Sequence, residues 1–225
     1  MHSTLTDPRP EPITSPITAA DVVQNYPGGA ETITVSPAGA GQTQSVSTLG
    51  ESTTFTNPTD SLTINTEVGG GSGVDSVFIQ GLGSGFDADL NLDAGGDDAL
   101  KFQTNPTDVG SGNVVADAGS VFFAAIGGSL TTTGEVDLTA TTTSISQELL
   151  PVTFQLTAIT SPKITFTAET GIFSGTSGFL KIDTSSDSGK GLTATVNDSG
   201  ILNITDVDDF RVLSATTANG DIGLQ

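Results

Sequence analysis

The chain has 225 residues, 26 acidic and 6 basic, with a formal net charge of −20 and no cysteine. That balance excludes a phosphate-binding nucleic-acid surface and attraction to an anionic membrane. The missing cysteine excludes disulfide frameworks and thiolate metal centres, and no apolar run is long enough for a membrane-spanning helix.

Only 14% of the residues are charged, so the imbalance reflects a shortage of Lys and Arg. Between Arg9 and Lys101 there is no basic residue. Acids in that stretch have no fixed cation to offset them, so its stability is expected to depend on ionic conditions.

Residues 1–30 read as an extended tail or linker. Pro8, Pro10, Pro12 and Pro16 oppose helix there. The segment also lacks the basic and apolar blocks of a secretory signal. A sharper reading has it dock on a neighbouring module or subunit.

From Glu31 onward short runs alternate apolar and polar residues between Gly, Asn, Asp, Ser or Pro. Ile33-Thr34-Val35, Leu62-Thr63-Ile64-Asn65, Leu100-Lys101-Phe102 and Ile164-Thr165-Phe166-Thr167 are examples. A period of two with outward Thr is the mark of a half-buried strand. About a quarter of the chain is Thr or Ser. The best helical stretch, Ser146 to Leu150, is stopped by Pro151. The expectation is an all-β protein of about twenty strands.

Comparable strand words open at Ile33, Leu62 and Leu90, and again at Leu138, Phe166, Leu192 and Ile222. Their intervals suit a stack of repeated units. The expected fold over 31–225 is a parallel β-helix, or β-solenoid, of about seven coils. The alternative is two tandem immunoglobulin-like β-sandwiches with a boundary near 143–151.

The words themselves carry a resemblance. Glu31-Thr32-Ile33-Thr34-Val35-Ser36, STLGESTTFTNPTDSLTIN (47–65), GLGSGFDADLNLDAGGDD (81–98), TTTGEVDLTAT (131–141) and TANGDIGL (217–224) are similar to repeats of planctomycete-type giant exported surface proteins. They also resemble repeats of filamentous-haemagglutinin-like adhesins. The resemblance covers most of 31–225 and lies in texture and short words. It implies an extracellular or cell-surface, non-enzymatic module, with no shared catalytic residues to carry over.

Calcium is the one cofactor the motifs suggest. GGSGVDSVF (70–78) matches the calcium nonapeptide of β-rolls. Asp75 would be its hard anionic ligand, with Asp97 and Asp98 of the shortened second copy. The copies lie 23 residues apart, unlike a tandem β-roll, so an isolated ion is the form expected. Asp87, Asp89 and Asp93 share one strand face with Asn91. A divalent ion would relieve that ladder of like charges. Asp206, Asp208 and Asp209 form a further acidic group near Arg211.

The function expected is a structural module of an adhesin, fibre or matrix protein. Its partners would be copies of itself or adjacent repeats of one chain, joined end to end. A calcium-dependent module for a cell surface or glycan is the second reading. A carbohydrate-active β-helix enzyme is the third, disfavoured by one Tyr, no Trp and a single His at position 2. Neither a nucleic-acid partner nor membrane insertion is expected.

Overall fold

The computed structural model describes residues 13–15, 18–50, 52–66, 68, 73–149, 156–175, 178–185, 187–209 and 211–225. Among them the protein is all-β: 21 strands joined in one open sheet, and no helix. No helix of the described residues is long and apolar enough to cross a membrane.

Most pairings are parallel and in register, and they fall into three rows. The first row begins at Asp21–Asn25, which pairs with Ser61–Asn65, which pairs with the first half of Asp89–Phe102. It continues through the start of Val114–Phe123, Glu135–Ala140, Lys163–Ala168, Gly191–Val196 and Val212–Thr217. The second row starts at Thr32–Gly39 and Ser76–Ile79. It uses the far halves of the two long strands, then Ser144–Gln147, Gly171–Ser174, Ile201–Asp206 and Ile222–Leu224. The third row is shorter: Thr107–Asp108, Leu130–Thr131, Ile159–Thr160, Leu180–Asp183 and the end of Ile201–Asp206.

The period-two pattern explains why these segments pair this way. Each strand turns alternate residues to one shared interior, where Leu62, Leu90, Val114, Val136, Ile164 and Leu192 line up in one column at or near zero exposure. Phe102 and Phe123 stack inside it, ring centroids 4.9 Å apart. Burial of such side chains contributes about 1.5–3 kcal/mol each.

Two antiparallel pairings interrupt the pattern, both near the N-terminal end. Gln42–Ser47 folds back on Thr32–Gly39, and Thr53–Thr56 folds back on Gln42–Ser47. Ile13–Ser15 then joins Thr53–Thr56 in parallel. This detour presents Thr43, Ser45 and Ser47 as buried polar residues over the end of the apolar column. Thr43 Oγ1 donates to Asn57 Oδ1 at 2.9 Å and accepts from Gly83 N–H at 2.9 Å. A hydrogen-bonded polar layer therefore lies on the second row at this end, while among the described residues Asp21–Asn25 of the first row keeps one side unpaired by any strand.

Several expectations need correcting. Leu62 does pair with Leu90, and Leu138 with Phe166. Ile33 instead pairs with Val77, because the antiparallel detour lengthens that turn of chain. Leu192 pairs with Ile164, and Ile222 with Leu202 in the second row. Within the tail expected over 1–30, Asp21–Asn25 begins the first row and Tyr26 is buried in the core. Ser146 and Gln147, which open the best helical stretch, belong instead to the strand Ser144–Gln147, which is paired on both sides. The segment 150–155 lies outside the described residues.

Candidate functional site

Glu31 and Asp75 each stand one residue before a second-row strand, Asp98 stands one residue before the second-row half of Asp89–Phe102, and the in-register pairing stacks the three. All three are buried, at 6%, 4% and 2% exposure. Asp98 Oδ1 accepts from Asp75 N–H at 2.6 Å, and Asp75 Oδ1 accepts from Glu31 N–H at 2.8 Å. Thr66 Oγ1 donates to Asp98 Oδ2 at 2.8 Å, and Ser47 Oγ donates to Glu31 Oε2. Each carboxylate thus accepts a hydrogen bond from a donor beside it. Burial pushes the Asp75 carboxyl above its ordinary range, the bond from Glu31 opposes this, and the charges of Asp98, Glu31 and Asp97 add to the rise.

This geometry places the expected calcium residues. Asp75 and Asp98 come together but are spent on hydrogen bonds in the interior. Asp97 is exposed beside them. Gly70, Gly71 and Ser72 of the nonapeptide lie outside the described residues.

The outward ladder forms largely as its spacing predicts, since Ala88, Leu90 and Leu92 are buried. Asp87 Oδ1 accepts from Ser111 N–H at 2.6 Å and from Ser111 Oγ at 2.7 Å, which holds its carboxyl below the usual range. Asp89 Oδ1 accepts from Asn113 N–H at 2.7 Å. These acids clamp the chain as it enters the next strand. Asp93 pairs in register with Asp117, whose carboxyl is raised by desolvation and by the charge of Asp93.

Below this ladder a groove of about 470 Å³ runs over the same face, lined by Asp89, Asn113, Glu135, Asp137 and Lys163 among others. Lys163 Nζ donates to Glu135 Oε2 at 2.7 Å. Desolvation raises the Asp137 carboxyl, and Lys163 opposes the rise.

Among the described residues, three carboxylates within reach of one ion occur elsewhere, at Asp183, Asp206 and Asp208, all within 4.8 Å of one another. Asp206 and Asp208 were legible as an acidic word. Asp183 was missed, although it lies 23 residues before Asp206, the same interval as between Asp75 and Asp98. The pairing of Ile182 with Asp206 brings them close. Burial raises the Asp206 carboxyl, against hydrogen bonds from Thr184 and neighbouring backbone. Thr184 Oγ1 donates to Asp206 Oδ2 at 2.8 Å, so this acid also fastens a turn. Asp209 lines an adjoining open groove with Asp208, Thr184 and Ser185.

No family model, curated protein or solved structure matches the chain.

Proposed function

We propose that the all-β fold is a parallel β-solenoid of about seven coils, and that it serves as a non-enzymatic structural module of an extracellular adhesin, fibre or matrix protein. The observation that supports this best is the unbroken succession of parallel pairings in the first row, from Asp21–Asn25 to Val212–Thr217, over one apolar column. Immunoglobulin-like sandwiches pair their strands antiparallel. Seven spacings of about 4.8 Å give a rod of about 34 Å. Its backbone satisfies its own hydrogen bonds along the axis, which makes a stiff spacer.

The two ends differ, and this bears on assembly. Among the described residues, the N-terminal end carries the polar layer on its second row and leaves Asp21–Asn25 with one pairing side, while at the other end Val212–Thr217 and Ile222–Leu224 both have one pairing side and no such layer. Val212, Leu213 and Ile222 are exposed there. An open strand edge is a template for pairing. In our reading, copies or adjacent repeats join through this end. Sedimentation and electron microscopy of the full chain test it: Val212→Lys should reduce association while leaving the circular dichroism spectrum unchanged. A monomer at all concentrations, for both proteins, would reject association through this end.

A calcium-dependent surface- or glycan-binding module is the second reading. It is favoured by the Asp183, Asp206 and Asp208 group beside an open groove. Calcium should then raise the melting temperature and EDTA lower it, and Asp183→Asn should abolish both shifts. Identical melting curves would remove calcium from the account.

A further inference from the structure

Glu31 poses a physical problem that the rod does not resolve. A buried carboxylate is ordinarily paired with a cation or bound to a metal, because desolvating the charge is costly. Glu31 is 6% exposed, and the ion pairs of the described residues are Lys163 with Glu135 and Lys190 with Asp187. Its one side-chain hydrogen bond comes from the neutral Ser47 hydroxyl. Beneath it lies Asp75, another acid.

Glu31 also lines a cavity of about 300 Å³ at the N-terminal end, together with Gln24, Tyr26, Ser47, Leu49 and Thr53. That volume lies at the small end of ligand pockets. The walls are of two kinds. Gln24, Tyr26, Ser47 and Thr53 bring neutral polar groups, and Leu49, 63% exposed, forms an apolar part of the wall. Tyr26 is itself buried, and both burial and the nearby Glu31 charge raise its hydroxyl above the ordinary range.

We propose that this cavity binds a small ligand through a primary ammonium group, with the Glu31 carboxylate as its counter-ion. An ammonium has three donors and no acceptor. One carboxylate, with neutral side-chain oxygens of Gln24 and Tyr26 in the same lining, matches it in charge and in hydrogen bonding. A divalent ion would call for several hard oxygens around one point. Among the described residues, the three carboxylates close enough for that lie at Asp183, Asp206 and Asp208, far along the chain from this cavity. The alkyl or sugar body would rest on the Leu49 side. The ligand class is thus an alkylamine or an amino sugar.

The chain has no Trp, so Leu49→Trp places a single indole at the cavity. Butylammonium chloride is titrated into this full-length variant at constant ionic strength, with sodium chloride as the reference. A saturable change in emission is expected. Adding Glu31→Gln should weaken it at least about tenfold, the loss of a charge-assisted hydrogen bond. Adding Glu135→Gln, in the ion pair on the first-row face, should leave it intact. Glucosamine against N-acetylglucosamine then separates the sources: a response to glucosamine assigns an amino sugar, and a response to butylammonium alone assigns an alkylamine. Should Glu31→Gln not fold, N-butylacetamide on the Leu49→Trp protein keeps the test open, since this neutral analogue must fail to bind. No saturable response to either amine, an unchanged response in the Glu31→Gln background, or equal binding of the neutral analogue would overturn the proposal.

Discussion

At the residue scale the acids decide how the molecule responds to its medium. The Asp75 carboxyl is raised above the 3.8 of an unperturbed aspartate, first by burial. The folded protein therefore holds that proton more tightly than the unfolded chain. The stability this contributes is full below the unfolded value and is lost as pH rises through the folded one. Asp206, Asp117 and Asp137 shift in the same direction, and exposed Asp87 shifts the other way. The melting temperature should rise as pH is lowered from 7 into the raised aspartate range. Asp75→Asn keeps an oxygen to accept from Glu31 N–H and should flatten that rise, as calorimetry at several pH values will show. Thr43 is the opposite kind of residue, neutral and fully committed. Thr43→Val strands Gly83 N–H and Asn57 in the end layer, and should cost about 1–3 kcal/mol in urea unfolding.

At the element scale, strand stacking makes tight corners. A Cβ on Gly200 would lie 1.8 Å from Thr170 O, and one on Gly220 1.8 Å from Gly200 O. Backbone meets backbone at this corner in successive layers, so side chains are excluded for reasons of space. Gly200→Ala should cost about 1–3 kcal/mol, as overpacking does. The strand interiors fail in the reverse way. Leu138 is fully buried between Ala116 and Phe166 of the adjoining strands. Leu138→Ala leaves a void and should cost about 2–5 kcal/mol. Denaturant melts of the two variants distinguish the mechanisms: only the cavity left by Leu138→Ala can be refilled, by a larger neighbour such as Ala116→Val.

At the scale of the whole molecule, charge and shape act together. Net −20 on a folded chain of 225 residues means self-repulsion, which salt screens. Monovalent salt should raise the melting temperature progressively, with no saturation at stoichiometric levels. A divalent ion acting through Asp183, Asp206 and Asp208 would saturate instead, so the two effects separate in one titration. The cation-free stretch from residue 10 to 100 pointed to the N-terminal half as the more ion-sensitive. Among the described residues, the three carboxylates within reach of one ion lie in the other half, because proximity depends on which strands are neighbours and not on charge per length of chain.

The class of element was legible residue by residue. Ile164-Thr165-Phe166-Thr167 alternates because one face is buried and the other wet, and a period of two permits only a strand. The even spacing of Asp87, Asp89 and Asp93 likewise assigned them to one outward face. The register was legible where repeat lengths are equal, as from Leu62 to Leu90. It was illegible where the chain detours, as between Ile33 and Val77. The acids of the interior were harder still. Asp75 sits in a glycine-rich word that reads as a metal turn. It is buried because Glu31 and Asp98 stack on either side and each exchanges a backbone hydrogen bond through it. By itself, then, the sequence determined the strands, their inward residues and the shortage of cations, since these follow from local periodicity and composition. Tertiary structure alone decided which strands are neighbours, which carboxylates meet and where the polar layer lies. Those depend on contacts across 20 to 44 residues of chain, where loop length and backbone pairing set the register and no local pattern records it.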